Sequence, residues 1–543
     1  MMEKIICNKS KIIIILIFIV AILSRIYLWP NAIDDINCDE AMTAINAKAI
    51  SETGCDMYGT RLPVYFETWL FGGQSAFLTY FMALCIKIFG FNIFAIRLPM
   101  LIISLLSIFV FYKLVNIIFE NKNITIISLA ILVINPWHIM QSLWSLDCNM
   151  FPHLFLVSLY LFAKSIKLKK HFLLYLSMIF FGITTYTYGV ALYFVPIFLV
   201  SYMIIALKNK ELSWKNVTIS ALIVCIVAFP LILMSIINIF KLNSINIGPI
   251  TIPFFEYFSR NKDMIFYSEN IIKQFFMNFI FIFSLILYNY DGLIWNAIKG
   301  FGTIYTGSII LAIVGIYSLF KKTNIKKQYK RIIICWLVAS LGVGLIINNV
   351  NINRLNIIWY PIIILTSYGI YNLVKMFKNK KSASVCLFTI FTICFLSFEY
   401  TFYKVESYNI ENSDTWSKGF IKTLNYAKNI DESVIIDRSI LNNYKNITFY
   451  IYNSDYNFKT NGFLSKDLFL YIRKYDADGN VVKICELCEN SNLDKINNKF
   501  LLIDIEECFK GICILEENKL NELSQKNTYK ELQKINNYYI IKK

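Results

Sequence analysis

Long apolar runs alternate with short polar stretches over the first three quarters of the chain. The runs Lys11–Pro30 and Val217–Phe240, for example, carry almost no charge between their ends. A run of about 20 apolar residues matches the hydrocarbon thickness of a bilayer when it is helical. Because lipid offers no hydrogen-bond partners, each segment must pair its own backbone polar groups, which a helix does. The pattern therefore predicts a polytopic bundle of transmembrane helices.

Composition and charge support this prediction. Hydrophobic residues make up 57% of the 543 residues, against about 45–50% in soluble proteins. The net charge of +17 comes mainly from short basic tracts between the apolar runs, as the positive-inside rule expects for cytoplasmic loops. A nucleic-acid partner is therefore not needed to explain the charge. The tracts that we place in the cytoplasm, after an N-terminus that is itself basic, are Lys113–Lys122, Lys164–Lys170, Lys208–Lys215, Lys321–Arg331 and Lys375–Lys381.

The segment 74–94 decides how many spans there are. It is apolar enough to cross, but counting it would move every later basic tract to the outside. We therefore expect an amphipathic or re-entrant helix at the outer face. The remaining runs predict about eleven spans, near residues 11–30, 97–118, 123–137, 150–166, 171–188, 190–207, 217–240, 303–320, 332–348, 357–374 and 383–402.

Three outer segments and a tail lie between and after these spans. The outer segments are 31–96, 138–149 and 241–302, and we expect the third to hold another surface-lying helix. Residues 404–543 are polar, with short β-like runs such as Ser433–Ile436, Ile447–Tyr452 and Phe500–Ile505, and a helical stretch Lys519–Lys534. About 140 residues can form one small domain. The expected fold is mainly α: a membrane domain 1–403 followed by an extracytoplasmic α/β domain 404–543.

Acidic residues cluster directly after the first span. Asp34, Asp35, Asp39 and Glu40 lie within seven residues. A carboxylate beside apolar helices can serve as a general base, but the same cluster fits a solvated loop with a helix cap. The second outer segment adds His138 and Asp147 on the same side. Two carboxylates and a histidine are compatible with acid/base chemistry or a metal, and equally with a polar vestibule.

The order of these motifs resembles the GT-C glycosyltransferases. The resemblance rests on Asp39-Glu40 after span 1, a Gly54-to-Gly59 turn around Asp56, Tyr65-Phe66-Glu67, Arg97-Leu98-Pro99 at a span start, and Pro136-Trp137-His138 followed by Asp147. It is similar to the protein O-mannosyltransferase and aminoarabinose (lipid A) transferase group, which takes sugars from polyprenyl phosphates. It covers roughly residues 10–375 and leaves the tail unassigned.

The resemblance implies a function and residue roles. Asp39 would be the catalytic carboxylate, with Glu40 beside it and Asp147 as the second carboxylate. The acceptor would attack the anomeric carbon of a polyprenyl-phosphate-linked sugar on the outer face, with inversion. The acceptor is open: a lipid, a cell-wall polymer or a protein. The implied location is the cell (plasma) membrane, multi-pass, with a cytoplasmic N-terminus and an extracellular C-terminal domain. The Ile-, Asn- and Lys-rich composition favours a bacterial carrier, undecaprenyl phosphate.

Departures from that group concern the metal and the phosphate. Glu67 resembles a metal-contacting glutamate, so Glu67 and His138 are candidate ligands of a divalent metal. However, residues 241–302 contain no histidine, and Thr68 stands where relatives often carry a basic residue. The lipid phosphate still needs a cation. Arg354 is the first candidate, since a guanidinium matches phosphate oxygens, although an interface anchor explains it equally. Arg260 is a further candidate.

Other functions remain open at this point. A transporter or flippase of lipid-linked saccharides would also be polytopic, but such proteins usually show internal repeats, and we find none. A non-catalytic surface protein would not need so many spans. Among thirteen cysteines, the pairs Cys38–Cys55, Cys485–Cys488 and Cys508–Cys513 are disulfide candidates if they lie outside.

Overall fold

The computed structural model describes most of the chain. The described residues are 2–27, 36–68, 72–255, 263–321, 325–406, 416, 419–432, 434–437, 440, 457–464, 500–503, 512–525 and 528–542.

Helices dominate the membrane part of the fold. In chain order they are α1 Met2–Ile26, α2 Cys38–Thr53, α3 Ala76–Phe89, α4 Ile93–Phe119, α5 Lys122–Val133, α6 Pro136–Met140, α7 Asp147–Leu168, α8 His171–Thr184, α9 Ala191–Lys208, α10 Trp214–Phe240, α11 Ile271–Tyr288, α12 Ser308–Phe320, α13 Lys327–Ile346, α14 Trp359–Met376 and α15 Lys380–Thr401.

The predicted polytopic helical bundle is confirmed, and each predicted span coincides with one of these helices. By length and apolar character alone, eight helices of the described chain qualify as spans, and one of the eight is α11, which the sequence places outside the count. Helices α3, α5, α8 and α12 are shorter apolar helices. Helix α12 packs closely on α14: Gly315 and Gly369 face each other so tightly that a Cβ on either would lie within 2.0 Å of a backbone oxygen.

Helix α11 is apolar and 18 residues long, yet its contacts place both of its ends at one end of the bundle. Before α11, the Ser268 hydroxyl accepts from the Asn348 amide at 3.0 Å. After α11, the Asp291 carboxylate accepts from the backbone N–H of Ile352 at 3.0 Å. A crossing helix of this length would separate its flanks by roughly 27 Å, which residues 348 and 352 cannot span. We therefore interpret α11 as lying along the membrane surface, as the sequence predicts for this segment.

The basic tracts converge at the opposite end of the bundle. Glu120, at the end of α4, pairs with Lys167 of α7 at 3.7 Å and with Lys326 before α13 at 3.0 Å. Arg331 of α13 pairs with Glu211, after α9, at 2.6 Å. Tracts from distant parts of the chain therefore meet at one end, as their common assignment to the cytoplasm requires.

The C-terminal region carries a five-stranded mixed sheet. The strands of the fold are β1 Tyr65–Thr68, β2 Gly72–Ser75, β3 Ile245–Ile247, β4 Ile250–Ile252, β5 Val434–Asp437, β6 Phe500–Ile503, β7 Ile512–Glu516, β8 Lys530–Ile535 and β9 Tyr538–Lys542. The first four form two-stranded hairpins, and the rest form one sheet in the order β6-β5-β7-β9-β8. The region also contains three short helices, α16 Phe420–Lys428, α17 Phe458–Asn461 and α18 Glu517–Ser524.

One expectation in this region is wrong. The stretch Lys519–Lys534 is not a single helix, because α18 ends at Ser524 and β8 begins at Lys530. Asn536 adopts a positive φ of 52°, which Asn tolerates better than most residues, and the turn lets β8 pair antiparallel with β9. The predicted run Ile447–Tyr452 lies outside the described residues, and the domain boundary at 403 stays a prediction.

Candidate active site

The β1–β2 hairpin connects the carboxylates of the outer segments. Its antiparallel register pairs Glu67 with Gly73. The next residue, Gln74, donates from its side-chain amide to the backbone oxygen of Asp39 at 2.9 Å and accepts from the Thr43 hydroxyl at 3.1 Å. The backbone N–H of Ser75 donates to the Asp147 carboxylate at 3.2 Å. A single hairpin therefore contacts the Asp39 segment and the Asp147 segment and itself carries Glu67.

Asp39 lies in the first turn of α2, with its side chain exposed. The Asn37 side chain accepts from the Asp39 backbone N–H at 2.9 Å and begins the helix as part of a capping box with Glu40. Asp147 lies in the first turn of α7 and is half-buried. Both carboxylates interact electrostatically with the buried Cys148 thiol, so the two helix starts lie close together.

Glu40 is buried and fully engaged. Its Oε1 accepts from Arg97 Nε at 3.1 Å and from the Ser145 backbone N–H at 2.8 Å, while its Oε2 accepts from Arg97 Nη2 at 3.1 Å. Glu40 is 0% exposed and Arg97 is 1% exposed. The pair ties α2 to α4 and to the loop that precedes Asp147. This arrangement holds the Asp39 segment against the Asp147 segment and leaves no oxygen of Glu40 facing solvent.

Glu67 shares its buried surroundings with Asp56. Glu67 is 6% exposed on β1, and its charge acts on the Asp56 carboxyl. Asp56 accepts backbone hydrogen bonds from Tyr58 at 3.0 Å and Thr60 at 2.8 Å, and shapes the turn after α2. Burial raises the pKa of Asp56 to about 6, against the opposing effect of those hydrogen bonds. The turn therefore contains a carboxyl that titrates near neutral pH.

Arg354 lies in an apolar cleft that begins at the same hairpin. The cleft is lined by Tyr65 of β1, by residues of α10 including Leu231 and Met234, and by Asp263 and Arg354. Arg354 Nη2 pairs with the Asp263 carboxylate at 2.7 Å, and Nη1 donates to the backbone oxygen of Asn348. An apolar groove that contains a guanidinium, and that Tyr65 of the hairpin lines, suits an isoprenoid chain ending in phosphate.

His138 belongs to a different polar network, inside the helix bundle. Its Nδ1 is 2.9 Å from Arg25 Nη2 and its Nε2 is 3.0 Å from the Ser107 hydroxyl. The Tyr360 hydroxyl continues the network, bonded to Ser107 at 3.0 Å and to His153 Nδ1 at 2.7 Å. These side chains are buried, and they connect α1, α4, α6, α7 and α14. Both His138 nitrogens have partners, so His138 has no nitrogen available to join Glu67 in binding a ligand.

The described side chains do not form a recognisable metal site. In the part of the chain that the structure describes, no three His, Cys, Asp or Glu side chains lie close enough together to hold a metal ion. Arg260, the other phosphate candidate, lies outside the described residues, as do Cys485, Cys488 and Cys508.

The predicted Cys38–Cys55 disulfide is wrong. The two thiols do not bond to each other, because the 16 residues of α2 separate them, with Cys38 at the start of the helix and Cys55 just beyond its end. Cys513 is a free thiol, buried within the C-terminal sheet.

Three residues that contribute to the site, Gln74, Ser75 and Arg97, were not predicted from the sequence. Gln74 and Ser75 follow the Gly72-Gly73 pair, whose small residues signal a tight approach: a Cβ on Gly73 would lie 2.1 Å from the Tyr65 ring. That signal would have suggested a hairpin. Arg97 was visible only as part of Arg97-Leu98-Pro99, and nothing local indicates that it pairs with a residue 57 positions earlier.

Comparisons with known proteins agree with this architecture. The family model of dolichyl-phosphate-mannose-protein mannosyltransferases matches residues 74–234. ArnT from Cupriavidus metallidurans, in a crystal structure bound to undecaprenyl phosphate, has a TM-score of 0.58 at 10% identity, with 98% of both chains covered. The Archaeoglobus fulgidus oligosaccharyltransferase, in complex with Zn and sulfate, has a TM-score of 0.50 at 11% identity; the match covers 81% of this chain but only 61% of that one. No curated protein matches the sequence.

These matches concern the fold and the family rather than individual residues. The structural likeness extends over nearly the whole chain, and the family model falls on the part that carries the hairpin strand β2, α3 and the Asp147 helix. The structural likeness shows that the chain has the fold of ArnT, and the family model shows that residues 74–234 resemble the mannosyltransferase family.

Proposed function

We propose that the chain transfers a sugar from a polyprenyl-phosphate donor to an acceptor at the hairpin face of the membrane domain. The observation that carries the proposal is the convergence of Asp39 and Asp147 on the β1–β2 hairpin, beside an apolar cleft that contains Arg354. Carboxylates supply base catalysis, and the cleft suits a lipid tail with an anionic head. We place this face outside the cell, because the basic tracts lie at the other end of the bundle.

Asp39 is the catalytic base in this mechanism. Its exposed carboxylate takes the proton of the acceptor nucleophile as that nucleophile attacks the anomeric carbon. The bond between that carbon and the phosphate oxygen breaks on the opposite face, so the configuration inverts and polyprenyl phosphate leaves with the bonding electrons. Arg354 stabilises the charge that develops on the leaving phosphate once it exchanges Asp263 for the ligand. Asp147 orients the acceptor from its position beside Asp39.

Glu40 and Glu67 have other roles. Because both oxygens of Glu40 are occupied by Arg97 and Ser145, Glu40 positions Asp39 instead of reacting. Glu67 lies on the strand that carries Tyr65 into the cleft, but it is buried and acts on Asp56, so its role is to hold the hairpin and the Asp56 turn rather than to bind the phosphate. The mechanism does not use His138.

The proposal is tested with purified full-length protein in nanodiscs and a panel of undecaprenyl-phosphate sugars. The measured quantity is the release of undecaprenyl phosphate in the presence of a membrane extract as the source of acceptor. We expect release with at least one donor, and a loss of about a thousandfold in Asp39→Asn, within the range that removing a catalytic group produces. Glu522→Gln, a change of an exposed acid in α18, is the matched control. Equal activity in Asp39→Asn and wild type contradicts the role of Asp39.

A further inference from the structure

The C-terminal region contacts the carboxylate-bearing segments directly. Trp416 pairs with Asn37 in a single antiparallel β-bridge, and Asn37 is the residue that caps the start of α2. The Trp416 ring packs edge-to-face on Trp144, with ring centroids 5.8 Å apart. Trp144 lies three residues before Asp147. One buried residue, 4% exposed, therefore touches both the Asp39 segment and the Asp147 segment.

The C-terminal region makes a second contact at the other end of α2, through residues 458–464. The backbone N–H of Phe458 donates to the Glu52 carboxylate in the last turn of α2 at 2.8 Å. The backbone N–H of Leu464 donates to the backbone oxygen of Met57 at 2.8 Å. Phe458 is only 2% exposed and joins the apolar cluster formed by α2, α3 and their neighbours. The C-terminal region thus contacts α2 at its beginning and at its end.

The position of α2 decides where Asp39 lies. Helix α2 belongs to an outer segment and is not a span, so lipid does not confine it. Displacing a reacting group by about 1 Å can cost a hundredfold in rate. Contacts at both ends of the 16-residue helix α2 restrict the rotations and translations that would separate Asp39 from Asp147.

We propose that the C-terminal region positions the groups of the transfer site. Trp416 and Phe458 are positioning residues: they hold α2, and therefore Asp39, against the Asp147 segment. The rate effects of this inference rest on the proposed function, whereas the effect on α2 itself does not. Trp416 acts through its ring: the indole N–H is buried without a hydrogen-bond partner among the described residues, so a phenylalanine can retain the contact with Trp144.

The test compares full-length variants in nanodiscs by two independent readouts. Hydrogen exchange of residues 38–53 reports the restraint on α2, and transfer kinetics report its consequence. We expect Trp416→Ala and Phe458→Ala to raise exchange in 38–53 by about tenfold or more, since a less restrained segment opens more often. We expect kcat to fall about tenfold or more while the KM for the donor stays within about twofold. Trp416→Phe should recover most of both, and Tyr426→Ala, an exposed aromatic on α16, should change neither.

Several results overturn the inference. If hydrogen exchange in 38–53 is unchanged in both alanine variants, Trp416 and Phe458 do not restrain α2. If exchange rises but kcat is unchanged, the restraint on α2 does not matter for transfer. A Trp416→Phe variant as slow as Trp416→Ala shows that the indole N–H is used directly. Should Trp416→Ala fail to fold, Phe458→Leu weakens the second contact while keeping it apolar, and a smaller rise in exchange is expected. If wild type transfers no sugar, the proposed function fails, but the exchange readout still decides whether the C-terminal region holds α2.

Discussion

The buried Glu40–Arg97 pair offers the sharpest test of how the site is held together. Removing one partner leaves the other charge buried without its counter-ion, which costs about 3–5 kcal/mol. Replacing both partners by apolar residues of similar size removes that penalty, and is often neutral or stabilising. A cost of about 1–3 kcal/mol remains in the double variant, because the backbone N–H groups of Ser145 and Asn37 both lose the Glu40 carboxylate as acceptor.

The perturbation is a double-mutant cycle with Glu40→Met, Arg97→Met and both together. We expect each single change to lower the free energy of unfolding by about 3–5 kcal/mol and the double change to lower it by about 1–3 kcal/mol. The coupling between the two sites would then be at least about 3 kcal/mol, well beyond the usual additivity error of about 0.5 kcal/mol. The measurement is unfolding by SDS in mixed micelles, followed by tryptophan fluorescence.

Transfer kinetics of the same variants show whether Glu40 positions Asp39 or takes part in the reaction. Because Glu40 positions Asp39 without reacting, the double variant should retain a measurable kcat, about ten- to a hundredfold below wild type. Additive single effects below 1 kcal/mol would refute the claim that the pair holds the segments together. A double variant that is stable yet as inactive as Asp39→Asn would instead restore Glu40 as a catalytic residue.

Three further predictions follow from the fold and the cleft. Asp56→Asn should stabilise the protein by about 2–3 kcal/mol above pH 7 and leave its stability unchanged at pH 3, as measured by thermal unfolding. The reason is that the pKa of Asp56 is raised to about 6 in the folded protein. Such a carboxyl contributes stability at low pH that is lost as the pH rises through that value. Gly369→Ala should destabilise by about 1–3 kcal/mol, since its Cβ would meet the Leu311 oxygen at 1.8 Å. Gly342→Ala, whose nearest contact is 3.9 Å away, should be neutral or slightly stabilising in the same assay. Arg354→Gln should raise the KM for the donor about tenfold to a hundredfold, the value of a charged hydrogen bond.

The membrane architecture was predictable because its rules are local. A long apolar run is recognisable without knowing its neighbours, and the basic tracts indicate which ends lie together. The structure accordingly confirms the bundle and brings those tracts to one end. The helix Lys519–Lys534 was mispredicted because its second half becomes a strand only when Tyr538–Lys542 is available as a partner, which composition does not reveal.

The candidate site was predictable only in part. The alternation of spans predicts that the Asp39 and Asp147 segments lie at the same end of the bundle, and the β1–β2 hairpin contacts both. The role of Glu40 depends on Arg97 and Ser145, which are distant in sequence. His138 was expected at the site because it lies near Asp147 in the chain, but Arg25 and Ser107 bind it inside the bundle. Trp416 was invisible for the same reason, since a tryptophan in a polar tail has no local feature that indicates its partner.

The most direct test of the proposed transfer site is a structure of the full-length protein with undecaprenyl phosphate bound. We predict that the phosphate contacts Arg354 in place of Asp263 and that the lipid lies along Leu231 and Met234 of α10. A sugar on that phosphate would then point between Asp39 and Asp147. A phosphate bound away from this cleft, or an anomeric position that neither carboxylate can reach, would contradict this proposal.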